Sequence, residues 1–394
     1  MKINIQTFTI LLTVIFLDFL SGMEFDLFVP SLPEIQHFFN LSAFSAEGLL
    51  SINFIGYSIS LFIFGKFADR YSRKPVILIG LFIFIIGSIL CLLEQNYYFL
   101  LAGRLLQGMG IASPAILSFL IVADRFPLKQ QQFYMALLNG SANIAAAIAP
   151  VIGSYVTLYF HWRGNFIALL ILGVIALMMS SILIPSYKTP EKHEEQSALS
   201  YFNVIRSKPL MMLILYLAIM FTPYWVFVGM SPLLYIKDLN VSLHHFGYYQ
   251  GILAFTFALG SIAFGFFISR YTSKILLSAS QYIFIASLMI ILTLSLFTVS
   301  NPLLITMALL VFVIGQIIPS TILYPVCVNF LPQAKAKASA LIQGFRLMLS
   351  AISVEIAGYF YNHTFESVGV IMCILIALIL LLQFFIMRNK CYNL

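Results

Sequence analysis

Three carboxylates stand close together near the start of this chain. Asp18, Glu24 and Asp26 lie within a stretch that is otherwise almost wholly apolar. Further along, Arg104, Arg346 and Glu355 are set in apolar runs of their own. A carboxylate withdrawn from water can take up and release a proton, because burial favours its neutral form and a nearby arginine favours its charged form. Moving the arginine, or a bound cation, past such an acid therefore switches its proton on or off. Spacing limits which acids can work together. At about 100° per helical residue, Asp18 and Asp26 are about 80° apart and share a face, whereas Glu24 is about 160° from Asp26. On that geometry Asp26 is expected to pair with Arg104, and Asp18 to lie deeper as a second titrating or cation-contacting group. Glu24 is expected either to titrate or to sit at the rim. Arg346 and Glu355, nine residues apart, fall on opposite faces and cannot pair within one helix.

Such residues need a scaffold, and composition says which kind. Of 394 residues, 61% are hydrophobic and 9% charged, and mean hydropathy is +1.00. A soluble domain is nearer a quarter charged, so this chain cannot cover a water-facing surface and a soluble enzyme is excluded. Apolar runs of about the 20 residues a membrane helix needs occur at 7–28, 46–67, 75–93, 98–122, 133–157, 164–185, 209–230, 246–268, 274–298, 302–327, 336–361 and 367–387. They are too long and continuous for barrel strands, and in lipid their backbone must bond internally, which makes them helices. The first is read as a membrane helix rather than a cleaved signal.

Charge gives orientation. Sixteen of the 21 Lys and Arg fall in loops on the N-terminal side, and the opposite loops hold only Arg163 and Lys237. Both termini are therefore expected in the cytoplasm. The net charge of +7 then reflects membrane topology, with no nucleic-acid partner expected. The longest hydrophilic stretch, 186–208, divides the chain into a bundle over 1–185 and another over 209–394. Four cysteines without paired spacing suggest neither disulfide nor metal site. The lone histidines are given no metal or catalytic role. No phosphate-binding loop and no nucleophile–base spacing is present, so neither ATP-driven pumping nor catalysis is indicated, and no cofactor is expected.

An internal repeat crosses the central linker. Gly65, Arg70, Tyr71 and Lys74 recur as Gly265, Arg270, Tyr271 and Lys274, and Asn40 and Ser42 as Asn240 and Ser242, all 200 residues on. Parallel six-helix repeats enclosing a site near the membrane midplane are the logic of a rocking carrier.

Motifs now carry a resemblance. Gly65-Lys-Phe-Ala-Asp69-Arg70-Tyr-Ser-Arg73-Lys74 resembles the signature loop of the major facilitator superfamily, with Ser72 at the second glycine position. Arg104-Leu-Leu-Gln107-Gly108 resembles its second motif. Ala149-Pro150-Val-Ile-Gly153 resembles part of its antiporter motif, with alanine for the first glycine. Within that superfamily the chain is similar to the 12-helix drug:proton antiporters of the Bcr/CflA branch. The similarity is carried by Asp26 to Pro30-x-Leu-Pro33, by Ser231-Pro232 to Phe246-Gly247, and by Ala338-Ser-Ala-Leu341.

The resemblance implies an all-α membrane protein of 12 transmembrane helices in two pseudo-symmetric six-helix bundles. It implies proton-coupled export of small, partly apolar drug-like compounds by alternating access, from the cytoplasmic (inner) membrane of a bacterium, by a monomer. The partners would be a small-molecule substrate, protons and the bilayer. Proton coupling would fall to Asp18, Glu24, Asp26 and Arg104. The substrate would meet Asp18, Asp26, Asn53, Tyr57, Arg104, Asn139, Asn143, Tyr224, Gln250, Gln316, Gln343 and Arg346. Gly65, Asp69, Arg70, Arg73, Lys74, Pro150 and Gly153 would form the conformational gate. Arg346 keeps a second reading open: a proton-coupled carrier of a specific metabolite such as an amino acid, peptide or siderophore. A receptor or scaffold that carries nothing is a third.

Overall fold

The computed structural model describes residues 5–70, 72–93, 96–126, 128–186, 201–267, 270–331 and 335–388, and among these there is no strand. The helices are α1 (Ile5–Asp26), α2 (Leu32–Phe38), α3 (Ala43–Arg70), α4 (Arg73–Leu92), α5 (Tyr97–Arg125), α6 (Leu128–Leu183) and α7 (Tyr201–Arg206). They continue with α8 (Lys208–Ser231), α9 (Leu243–Phe267), α10 (Ser273–Leu296), α11 (Pro302–Asn329), α12 (Lys335–Tyr359) and α13 (Phe365–Arg388). A 3-10 turn at Val29–Ser31 leads into α2, and α8 runs on through a π-helical stretch at Pro232–Asp238.

Eleven described segments are long and apolar enough to cross a membrane. One of them, within α6, runs for 51 residues over Phe133–Leu183 and is broken at His161, where φ is 59° and ψ −177°. The break divides it into two spans, which gives the twelve that hydropathy indicated. Its physical cause lies in α2. Glu34 places Oε1 3.0 Å from His161 Nδ1 and accepts the Trp162 N–H on Oε2 at 2.9 Å, so a carboxylate satisfies the start of the second span.

The chain forms two compact units, Met1–Lys192 with Ser242–Gly251, and His193–Val241 with Ile252–Leu394. The first turns of α9 thus belong with the first unit. Lipid offers helices no hydrophobic reason to associate, so small residues mark where backbones meet. In the first unit a Cβ on Gly22 would collide with the Ala142 backbone, and one on Gly153 with the Leu27 carbonyl, which fixes α1 against α6. A side chain on Gly108 would strike the Asn53 carbonyl, which fixes α5 against α3.

Neutral polar ties join several helices of the second unit. Gln383 of α13 donates to Leu277 O at 2.9 Å and Ser280 Oγ at 2.8 Å, and accepts from the Tyr216 hydroxyl at 3.3 Å. Those bonds join α8, α10 and α13. The Tyr235 hydroxyl lies 2.8 Å from Thr306 Oγ1 and donates to Pro302 O at 3.0 Å.

The internal repeat is visible in backbone geometry. Asn40 and Asn240 both adopt positive φ, 51° and 54°, which asparagine tolerates better than most residues. A second correspondence, 205 residues apart, relates α5 to α11. Asn96 accepts from the Tyr98 and Phe99 N–H groups, and Asn301 from those of Leu303 and Leu304. At the same spacing Gly110 and Pro114 recur as Gly315 and Pro319.

Candidate functional site

Four helices of the first unit converge on a fully buried ion pair. Arg104 of α5 and Glu24 of α1 are both 0% exposed, and Arg104 Nη1 donates to Glu24 Oε1 at 2.7 Å. The same nitrogen donates to Gln107 Oε1 at 2.8 Å, and Arg104 Nε to the Leu49 carbonyl of α3 at 3.3 Å. The Phe28 ring lies 3.9 Å from the guanidinium carbon. Asn53 of α3 braces both partners, donating to Glu24 Oε1 at 2.8 Å and to Arg104 O at 3.0 Å. Gln107 is held in turn from α4: it donates to Ser88 Oγ at 2.8 Å, and the Cys91 thiol donates to it at 3.6 Å. Two charges at this depth survive only when paired and hydrogen-bonded, since desolvating either alone is costly.

This corrects one expectation. Arg104 pairs with Glu24, not Asp26. The cause is the angular spacing already evident in sequence: Gly22 faces α6, so Asp18 and Asp26, one turn to either side of it, lie along that flank. Glu24, about 160° round from Asp26, faces α3 and α5. Glu24 is therefore no rim residue. Asp18 and Asp26 are 4% and 2% exposed, and each has a carboxylate oxygen, Oδ2 and Oδ1 respectively, without a hydrogen-bond partner among the described residues. Arg104 Nη2 and Glu24 Oε2 are likewise without a partner.

The other candidates divide. Asn53 and Arg104 join the cluster. Tyr57 lies beside it, its ring 5.4 Å from Phe25 of α1. Asn139 and Asn143 are exposed on α6, and Asn139 donates to the Met135 carbonyl at 3.1 Å. Gln250 is buried in the first turns of α9 and Gln316 in α11, whereas Gln343 and Arg346 are half-buried on α12. Arg346 places its guanidinium carbon 5.1 Å from the Phe221 ring centre. Tyr224 is half-buried against Trp225, the rings 5.6 Å apart.

Of the gate residues, Arg73 is 2% exposed and donates from Nε to Asp124 Oδ2 at 2.9 Å, while Lys74 donates to Ser181 O at 2.6 Å. Pro150 and Gly153 are buried in α6. The Gly65, Asp69 and Arg70 parts of the motif lie outside the residues whose side chains are described.

Glu47, close to the start of α3, is fully buried although it stands at the edge of its apolar run. Gln107, named above as part of the second motif and given no site role there, joins the cluster, and a glutamine one turn from a buried arginine is the signal that could have found it. Ser88 and Cys91 carried none.

A family model described as the Major Facilitator Superfamily matches residues 14–354. The chain is 26% identical over 270 residues to the multidrug resistance protein MdtL of Klebsiella pneumoniae (strain 342), covering 66% of this chain and 67% of that protein. To the protein of the same name in Escherichia coli O9:H4 (strain HS) it is 28% identical over 272 residues, with the same coverage. Among solved structures, a bacterial homologue of the human lysosomal transporter Spinster, inward-facing and occupied, has a TM-score of 0.79 at 14% identity, covering 99% of each chain. A peptide transporter POT in complex with sulfate has a TM-score of 0.76 at 13% identity, covering 98% of this chain and 94% of that one.

Proposed function

The chain belongs to the Major Facilitator Superfamily, and from that premise we propose that it exports small, partly apolar, drug-like compounds in exchange for protons. It is a multi-pass membrane protein. The carrying observation is the Glu24–Arg104 pair, buried completely beside two further buried acids on the same helix. An acid cluster in a membrane span is costly to maintain and serves, by default, an ion or substrate pathway. The multidrug resistance relatives support the drug-like class of substrate.

The mechanism follows from charge balance. Glu24 neutralises Arg104. A proton on Glu24 cancels that pairing and leaves a buried cation, which then favours a charge on Asp26, two residues along α1. Asp26 and Asp18, on the α6 flank, are the groups from which a cationic compound would displace protons. In this proposal both termini face the cytoplasm, from the excess of basic residues in their loops, and the drug-like class of substrate makes release outward, by a monomer in the bacterial inner membrane. On the same proposal the gate is the signature-like loop from Gly65 to Lys74, together with Pro150 and Gly153 of α6.

The test uses purified protein in liposomes, with tetraphenylphosphonium and ethidium as probes and a pH-sensitive dye inside. Adding either probe should move protons. Asp26→Asn and Asp18→Asn should each cut that movement at least about tenfold while leaving thermal stability near that of the parent. Wild-type rates and an unchanged pH profile in both variants would sink the reading. A second reading, a proton-coupled carrier of one metabolite, rests on the half-buried Arg346, a basic group suited to an anionic or zwitterionic compound. Proton movement with amino acids and none with either cation would favour it.

A further inference from the structure

Within the buried cluster of the first unit, hydrogen bonding stops short at three atoms. Arg104 Nη2, Glu24 Oε2 and Asn53 Oδ1 have no partner among the described residues, and all three side chains are fully buried. The three groups already meet at one point. Glu24 Oε1 accepts from Arg104 Nη1 at 2.7 Å and from Asn53 Nδ2 at 2.8 Å. Each open atom is bonded to the same carbon as one of the atoms at that point. The open carboxylate oxygen, amide oxygen and amino group therefore belong to a single small junction between α1, α3 and α5.

The way the ion pair is built explains why they are open. Arginine and a carboxylate often face each other as two forks, which pairs two nitrogens with two oxygens. Here Arg104 Nη1 is shared between Glu24 Oε1 and Gln107 Oε1, at 2.7 and 2.8 Å, and the fork is only half engaged. Gln107 is fixed in that position from α4, by its bond to Ser88 Oγ and by the Cys91 thiol. Nor can α3 draw closer to α5, because the Asn53 carbonyl already abuts Gly108. Polar groups cut off from bulk solvent are costly to leave unsatisfied, and charged ones more so.

We propose that this junction binds one water molecule, which donates to Glu24 Oε2 and Asn53 Oδ1 and accepts from Arg104 Nη2. An internal water makes about three hydrogen bonds, to buried polar groups that the protein does not satisfy itself, and two acceptors and a donor are what the junction offers. Other small ligands fail on the sign or the number of their bonds. An ammonium suits the two oxygens but lies against a guanidinium N–H. A chloride or carboxylate suits the guanidinium but lies against two oxygens. A hydroxyl group has a single proton to donate and satisfies one oxygen of the two. The neutral hub of the second unit shows the opposite case. Gln383 Nε2 donates to Leu277 O and Ser280 Oγ, its Oε1 accepts from Tyr216, and Ser280 Oγ donates to Leu277 O, so none of these side-chain atoms is open. The water site holds whatever the chain carries. One consequence rests on the transport reading: Glu24 takes its proton on Oε2, from a water that gains one proton as it gives up another.

Pulsed X-ray radiolysis of the full-length chain in lipid nanodiscs, read by mass spectrometry, tests this, because ionised water hydroxylates the side chains beside it. Phe28, whose ring centre lies 3.9 Å from the Arg104 guanidinium carbon, should be hydroxylated although it is fully buried. Tyr216, equally buried and bonded to Gln383, should not be, although a phenol is the more reactive ring. After mixing with water enriched in heavy oxygen, the isotope should reach Phe28 later than it reaches the exposed Tyr159, since a held water exchanges slowly with the bulk. Asn53→Leu takes away one of the water's three partners and should lower labelling of Phe28 about fivefold, the worth of one hydrogen bond. An unlabelled Phe28 in the parent overturns the proposal. So does heavy oxygen that arrives at Phe28 as promptly as at Tyr159, the mark of bulk solvent, and so does labelling that Asn53→Leu leaves unchanged. Should that variant fail to fold, the two measurements on the parent decide alone. Radiolysis needs neither substrate nor gradient, so such a failure leaves the transport reading untouched.

Discussion

In the first unit four side chains from three helices, Glu24, Asn53, Arg104 and Gln107, form one buried polar cluster. At the corresponding places in the second unit, 200 residues on for α8 and α9 and 205 for α11, stand Tyr224, Leu253, Leu309 and Phe312. Leu253, Leu309 and Phe312 are as buried as the residues they match. The same scaffold position can therefore be filled by a charged network or by ordinary apolar packing. What both units keep is geometry that any bundle of this shape requires: the Asn40 and Asn240 turns, the Asn96 and Asn301 caps, and the Gly110–Pro114 and Gly315–Pro319 pairs. Apolar packing would have served for stability alone, as buried ion pairs rarely outperform it. The charges in the first unit are thus better explained by work than by folding.

The largest expected effect tests that contrast directly. Glu24→Ala removes the partner of a buried cation and should cost about 3–5 kcal/mol, read as a collapse of the thermal transition in detergent. A double-mutant cycle makes the comparison sharper. Glu24 and Arg104 should couple by at least about 2 kcal/mol, and Tyr224 with Leu309 by less than about 0.5 kcal/mol. Equal couplings in the two units would break the distinction between them.

How much of this could be read beforehand follows from the same contrast. Hydropathy and loop charge locate the spans because lipid imposes length and polarity on every one of them. The fusion of two spans into α6 was not legible, since it depends on a carboxylate in α2 reaching the start of the second span. Burial of Asp18, Glu24, Asp26 and Arg104 was foreseeable from their places in apolar runs. Partner choice was not, because it depends on how α1 is rotated. That rotation is set by Gly22 of α1 meeting the Ala142 backbone and Gly153 of α6 meeting the Leu27 carbonyl, long-range contacts whose partners α1 alone does not reveal. Gln383 shows the limit more plainly. It ties three helices of the second unit, yet nothing near it in sequence distinguishes it from a polar residue at a span end.

Next in size are the glutamines that anchor each unit. Gln107→Leu removes a hydrogen bond to a charged donor and the bond that Ser88 Oγ accepts, while Ser88 keeps its own bond to the Phe84 carbonyl, and should cost about 1.5–3 kcal/mol. Gln383→Leu deprives Tyr216, Ser280 and the Leu277 carbonyl of a neutral partner and should cost about 1–3 kcal/mol. Function separates them more cleanly than stability does. Gln107→Leu loosens the residue that aims Arg104, so the pH profile of proton movement in liposomes should shift. Gln383→Leu should leave that profile in place even where its melting temperature drops further. A shifted profile in both variants would mean that the two hubs are not different in kind.

The smallest effect examines what the units have in common. Asn96 and Asn301 each accept two backbone N–H groups at the start of an equivalent helix, and both are exposed. Replacing either with alanine should cost about 1 kcal/mol, and the double variant should show the simple sum, since the two caps share no partner. The argument from divergence requires this equality. If the repeat kept its caps because both helices need their first-turn donors satisfied, the two losses must match, and neither should alter the pH profile of proton movement. A cap in the first unit that changed the profile would tie Asn96, eight residues before Arg104 on the same helix, to the placement of the buried cation. The conserved frame and the diverged chemistry would then no longer be separable.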